Sequence, residues 1–468
     1  MVFSSLTFLF AYLPITLLLY FLVPLKWRNL VLLVVSLFFY GWGEPVYITI
    51  MFVSILIDYT HGLLVEKYRD DDKKARWFVG QSVVFNLLLL GFFKYWDFLA
   101  ANLSLLPGVR LPQLNIPLPI GISFFTFQTM SYTIDVYRRD APAQRSIIRF
   151  GAFVTMFPQL IAGPIVKYKT VAEALDHRVN TAEDFALGAR RFCVGLAKKV
   201  LLANAIGTLW DAQLASAEAG TLTAAGGWLG LAAFGFQIYF DFSGYSDMAI
   251  GLGRMFGFTF PENFRYPYLS RSVSEFWRRW HVTLGDWFRE YLYIPLGGNR
   301  VSVPRNIFNL AVVWLATGLW HGASWNFLLW GGYFGLLLIL EKFVFGKFLQ
   351  KLPALFGWLY TALAVLLGWV LFAFEDAGAG LNYLSAMLGG GAGGVDAFAL
   401  RSLLDGAGLL LLCAVGSTPL CAGALKHLKV AHPRLHTVLT AALLVAGFAL
   451  CLTYVVDAGY NPFLYFRF

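Results

Sequence analysis

Charge is scarce in this 468-residue chain. Asp, Glu, Lys and Arg make up 13% of it, 58% is hydrophobic, and the mean hydropathy is +0.65. A soluble domain carries about 25% charged residues, so the balance excludes an ordinary soluble fold and leaves a polytopic membrane protein. Cysteine is also sparse. Cys193, Cys413, Cys421 and Cys451 each lie in or beside an apolar run and form no C-x-x-C pair, which removes support for zinc or redox chemistry. No G-x-S-x-G elbow and no H-E-x-x-H motif occurs. A nucleophilic serine and a bound metal are therefore not expected. No basic segment precedes the first apolar stretch, and no A-x-A site follows it. That stretch reads as a retained helix and not as a cleaved signal. No Lys/Arg tract alternates with exposed aromatics in a soluble domain. The net charge of +9 is then assigned to basic loops held on the cytoplasmic side of a membrane, with no nucleic-acid partner.

What is present is apolar length and aromatic side chains, 17% of the chain with 44 Phe and 15 Trp. A spanning helix needs about 20 mostly apolar residues. Candidate spans are 7–25, 30–42, 47–65, 77–99, 118–137, 185–209, 228–251, 306–319, 325–340, 355–374, 406–425 and 437–456. The expected class is an all-α polytopic membrane protein of about 10–12 spans, with re-entrant and interfacial helices besides. It reads as a single membrane-embedded domain, with N-terminal spans in 1–137, a catalytic core in 138–345 and C-terminal spans in 346–468. The basic loops at 26–28, 66–76 and 138–145 share one side by parity, and those at 342–351 and 426–434 also share a side. The acid-containing, Gly-rich loop at 375–396 falls opposite. Residues 150–166 break the pattern with F-P-Q-L-I-A-G-P-I, whose Pro158, Gly163 and Pro164 interrupt a helix; a re-entrant segment covered by protein fits them. The 185–209 run contains four cations and is expected to lie partly in the interface.

Three segments carry chemistry. In 237–257, Asp241 and Asp247 stand among Ser243, Tyr245 and Ser246 in an otherwise apolar run. A charge at the bilayer centre costs about 2.5–3.5 kcal/mol, so these carboxylates must be paired, hydrated or near an interface. In 274–293, a helical projection puts Trp277, Trp280, His281, Leu284, Trp287, Phe288 and Tyr291 on one face. Arg278, Arg279, Asp286, Arg289 and Glu290 fall on the other. The pattern predicts one amphipathic helix at a membrane interface, with His281 on its aromatic face, either as a hydrogen-bonded core residue or as a working group. The third run is 306–340, 35 residues without a charge. As one helix it would be about 52 Å long, well beyond a bilayer core of about 30 Å. It must break, and Gly322-Ala323-Ser324 beside His321 is the place. At such a break a neutral imidazole either bonds a helix carbonyl or accepts a proton from a hydroxyl or thiol. His281 and His321 lie 40 residues apart with no metal-ligand spacing, and His427, His432 and His436 lie in a basic loop.

Together these segments resemble the membrane-bound O-acyltransferase (MBOAT) family, and within it the branch that O-acetylates bacterial alginate, related to proteins of teichoic-acid D-alanylation. The resemblance rests on M-V-F-S-S at 1–5, L-P-I-G-I-S-F-F-T-F at 118–127, F-P-Q-L-I-A-G-P-I at 157–165 and Y-F-D-F-S-G-Y-S-D-M-A-I-G-L-G at 239–253. P-E-N-F at 261–264, E-F-W-R-R-W-H at 275–281, Y-L-Y-I-P-L-G-G-N-R at 291–300, G-L-W-H-G-A at 318–323 and the terminal F-L-Y-F-R-F complete it. It implies an O-acyltransferase of the bacterial inner membrane. The acyl group would pass from cytosolic acetyl-CoA, a substrate and not a bound cofactor, toward an extracytoplasmic polysaccharide through a periplasmic acetyltransferase partner. His321, in L-W-H-G beside Trp320, becomes the family's signature histidine, and His281, after W-R-R-W, its second. Arg254, Arg265, Arg278 and Arg279 become candidates for the donor's phosphates, while Asp241, Ser243, Tyr245 and Asp247 take structural or supporting places. Peptidoglycan, cellulose or another exopolysaccharide stays open as final acceptor. A secondary transporter and a non-catalytic scaffold of an export complex stay open as other classes.

Overall fold

The structure, a computed structural model, describes residues 1–457; the terminal F-L-Y-F-R-F motif lies outside them. Among the described residues every regular element is helical. Seven helices are long and apolar enough to cross a membrane: Ile48–Lys67, Asp72–Leu103, Ala182–Glu218, Trp325–Leu349, Ala354–Ala373, Ala397–Gly416 and Pro433–Asp457. Phe8–Leu22 is a shorter apolar helix. The chain packs as two compact units, one of residues 1–192 and 246–261, the other of residues 193–245 and 262–468.

In the first unit the helix over residues 150–166 is broken as its sequence requires. Helix Ile147–Thr155 stops at Met156, a one-turn helix Phe157–Leu160 begins with Pro158 in its first turn, and Gly163 takes φ +111°. Every residue from 150 to 166 is buried, so protein covers this irregular backbone. The span expected at 118–137 begins only at Ile122, because Gly121 adopts φ +78° and its Cα faces the Leu160 carbonyl, where a Cβ would stand 2.5 Å from the oxygen. The short apolar run at 30–42 is the inner part of a 19-residue helix, Leu25–Gly43.

The second unit holds both histidines. Its helices Val303–His321 and Trp325–Leu340 form a tight pair that meets through glycines. A Cβ on Gly318 would lie 2.3 Å from the Phe327 carbonyl oxygen, and one on Gly331 would lie 2.4 Å from that of Trp314. The long apolar run thus breaks at 322–324, as its length demanded. Further on, helix Ala397–Gly416 ends before Ser417-Thr418-Pro419, and a separate helix Leu420–Ala431 follows. That corrects the span expected at 406–425: a proline in the turn stops the first helix nine residues early.

The W-R-R-W-H region departs most from expectation. In place of one amphipathic helix there are three pieces: Val273–Trp277, Val282–Phe288 and a π-helical turn Arg289–Tyr293. The aromatic face is core and not an interfacial belt. Trp280, Leu284, Trp287, Phe288 and Tyr291 are all buried, and Trp280 stacks on Phe276 with ring centroids 5.5 Å apart. The helical projection could not place the break, which is set by residues distant in sequence.

Candidate active site

His281 sits at the break, with φ +44° and ψ +51°. A non-glycine residue in the left-handed region costs of order 1–3 kcal/mol and persists only where its surroundings hold it. Here the P-E-N-F segment does so. The Val282 amide donates to the Asn263 carbonyl at 3.0 Å, and the Arg265 amide donates to the Arg279 carbonyl at 2.9 Å. Asn263 Oδ1 accepts from the Thr283 hydroxyl at 2.9 Å and lies 3.1 Å from His281 Nδ1. An amide oxygen can only accept, so His281 carries its hydrogen on Nδ1 and presents Nε2 as the ring's acceptor. The imidazole is 2% exposed, and its ring meets Phe242 edge-on at 4.7 Å. Burial lowers its pKa to about 3, so the ring is neutral at physiological pH.

His321 is the last residue of its helix and is 4% exposed. After it Gly322 is extended and packs against Phe327; a Cβ there would stand 2.1 Å from the ring. Trp320, Trp330 and Phe372 surround the imidazole, each near perpendicular, at centroid distances of 5.1, 5.0 and 5.4 Å. Trp320 also lies 5.9 Å from His281, so one indole touches both imidazoles.

The two histidines, far apart in sequence, line one cavity of about 160 Å³ with Trp277, Trp280, Trp314 and Thr317. At about 30 Å³ per water in the liquid, that holds roughly five water molecules, the scale of a small acyl group and its nucleophile. Leu310 also lines a second cavity of about 620 Å³, whose cations are Arg271, Arg278, Lys342 and Lys347. Glu341 fixes the wall between them. Its carboxylate accepts from the Val273 and Ser274 amides at 2.6 and 2.8 Å, anchoring the start of the helix that carries Trp277.

Of the four arginines singled out in the sequence, the structure brings only Arg278 into the cationic cavity. Arg279 pairs with Glu275 at 2.7 Å, and its guanidinium also donates to the Arg265 carbonyl. Arg254 belongs to the first unit and pairs with Asp184 at 3.0 Å. The carboxylates of D-F-S-G-Y-S-D are neutralised by cations of the Ala182–Glu218 helix. Asp241 meets Lys199 at 2.6 Å with both side chains buried, and Asp247 meets Arg191 at 2.7 Å. Ser243 and Tyr245 are buried. Sequence reading missed Asn263, Glu341, Arg271, Lys342 and Lys347. Asn263 was within reach, since P-E-N-F is a conspicuous motif; the cations converge only through tertiary packing.

Residues 138–374 match the profile of the MBOAT, membrane-bound O-acyltransferase family. The chain is 42% identical over 391 residues to the "Probable alginate O-acetylase AlgI" of Azotobacter vinelandii, covering 83% of this chain and 78% of that one. It is 38% identical over 492 residues to the protein of the same name from Pseudomonas putida, covering all of both. It is 35% identical over 424 residues to the peptidoglycan O-acetyltransferase of Helicobacter pylori, covering 83% and 80%.

Proposed function

The chain belongs to the membrane-bound O-acyltransferase family, and we propose that it moves acetyl groups from cytosolic acetyl-CoA across the bacterial inner membrane for O-acetylation of alginate. The observation that carries this is the shared cavity of His281 and His321. The cationic cavity beside it suits the phosphates of a CoA donor, which Arg278, Arg271, Lys342 and Lys347 would hold at the cytosolic face. The thioester then reaches the small cavity, where tryptophans keep water from the acyl group. His321 takes the acceptor hydroxyl's proton as the oxygen attacks the thioester carbon. The tetrahedral intermediate collapses to the ester, and the thiolate leaves and regains a proton. His281, its Nδ1 hydrogen fixed on Asn263, walls the opposite side of the cavity as a neutral ring. On the outer side, a periplasmic acetyltransferase partner receives the acetyl group and passes it to the polysaccharide.

Expression of the His321→Ala variant in an alginate-producing strain lacking its own acetylase tests this. The variant inserts normally and the alginate stays unacetylated; normal acetylation by the variant sinks the reading. The likeness to the H. pylori enzyme supports peptidoglycan as the second acceptor, and ester analysis of both polymers from one strain decides between them.

A further inference from the structure

The K-W-R segment at 26–28 takes no part in the mechanism above. It opens helix Leu25–Gly43, whose first turn carries Lys26 and Arg28, no acidic residue and no capping side chain. The macrodipole makes that end of the helix positive, so both cations stand where an anion is favoured. Arg28 is half-buried and shares the Tyr20 ring with a second guanidinium, that of Arg178; the two lie 4.9 and 5.5 Å from the ring centroid.

Arg178 is 6% exposed. Its Nε donates to the Tyr20 hydroxyl at 2.8 Å, and its Nη1 donates to Asn29 Oδ1 at 2.7 Å and to the Ala174 carbonyl at 3.2 Å. Its Nη2 meets no acceptor, and the Phe258 ring packs 4.8 Å from the guanidinium. Arg28 Nη1 donates to Asn180 Oδ1 at 2.7 Å, while its Nε is buried without an acceptor. Every one of these acceptors is neutral. A buried arginine is ordinarily paired with an anion, yet among the described residues no carboxylate pairs with either guanidinium. Asp176 and Asp184, on either side of Arg178 in the sequence, are held by Arg149 at 2.5 Å and by Arg254 at 3.0 Å.

The surroundings say which anion fits. Leu22, Leu25, Trp27 and Val179, close in the chain to the two arginines, are exposed. In a membrane protein such side chains face acyl chains, with Trp favoured at the level of the headgroups. We propose that Arg28 and Arg178, with the first turn of helix Leu25–Gly43, bind the phosphate of an anionic glycerophospholipid in the leaflet of the K-W-R segment. Arg28 makes the charge-assisted contact, and the deeper Arg178 supplies charge that no carboxylate of the protein cancels. The site lies within the first unit and does not depend on the acetyltransferase reading.

The test is a native mass-spectrometric titration of the full chain in detergent with phosphatidylglycerol or phosphatidylcholine, paired with thermal unfolding. One phosphatidylglycerol binds at least about tenfold more tightly than phosphatidylcholine, and Arg28→Gln lowers its affinity about tenfold, the loss of one charge-assisted contact. Arg76→Gln, which removes a basic charge already paired with Asp72 at 2.8 Å, leaves the affinity unchanged. Without added lipid, Arg28→Gln unfolds no earlier than the parent, because it removes a cation from the positive end of a helix. Phosphatidylglycerol delays unfolding of the parent and not of the variant. Equal affinity for the two lipids, an affinity untouched by Arg28→Gln, or displacement of the lipid by inorganic phosphate overturns the inference. So does earlier unfolding of Arg28→Gln with and without lipid alike, which would make Arg28 a part of the fold only.

Discussion

The two large cavities of the second unit lie at opposite ends of helix Ala354–Ala373, and they differ in almost every physical respect. One is lined by four cations together with Glu275 and Glu341 and adjoins the cavity of the histidines through Leu310; the other, of about 820 Å³, is lined by four carboxylates and, among the described residues, no cation, and meets His321 across the Phe372 ring. One suits a donor rich in phosphate, the other repels anions. On the acyltransferase reading proposed above, a single buried imidazole pair between cavities of different charge gives two dissimilar substrates separate entrances.

Breaking the link between the cavities gives the largest effect. His321→Ala lowers acetyl transfer by roughly 10²–10⁴-fold, the range of a positioned general base, with amounts of membrane-inserted protein unchanged. A quench-flow measurement of transfer checks this. Next comes Asn263→Ala, which leaves the His281 Nδ1 hydrogen without its acceptor and the left-handed turn without its clamp. Transfer falls about 10–100-fold, the range for a buried donor left unpaired, while donor affinity stays at the parent value. A drop in kcat with constant KM for acetyl-CoA is the readout, and a parallel loss of donor binding would show that Asn263 only supports the fold.

Charge removal on the cationic side affects only the donor. Arg278→Ala raises the KM for acetyl-CoA about tenfold, as expected for one charge-assisted contact to phosphate, and leaves the acceptor KM in place. The increase shrinks at high salt, because the contact is made near solvent. The smallest effect on function comes from charges outside both cavities. Lys199→Met leaves Asp241 buried and uncompensated and lowers stability by about 3–5 kcal/mol, whereas the double Lys199→Met, Asp241→Leu variant recovers most of it. Thermal unfolding in detergent reads the difference, and neither change alters the selectivity of either cavity.

The break at His321 was legible because it follows from length alone: an apolar run of 35 residues cannot cross a bilayer once. The helix break between Thr155 and Gly163 was legible from Pro158, Pro164 and Gly163. The break at His281 was not, since the local pattern of 274–293 is that of a good amphipathic helix. What bends it is Asn263, eighteen residues upstream, acting through hydrogen bonds that no periodicity records. Cavity charge was the least legible. Asp211 and Glu218 come from one helix and Glu375 and Asp376 from a loop more than 150 residues later, and Arg271 and Lys347 line one cavity where the Val273–Trp277 helix is anchored on Glu341. Asp241 and Asp247 drew the chemistry to the most distinctive segment of the sequence, yet both are held in ion pairs.

The most direct test of the account is sided transfer. Right-side-out membrane vesicles bearing the chain are loaded with acetyl-labelled acetyl-CoA, and label is followed to acceptor present only outside. The account predicts outward labelling that requires His321 and is absent when donor is supplied only outside. Labelling that survives His321→Ala, or that proceeds when donor and acceptor share the outer face, would contradict it.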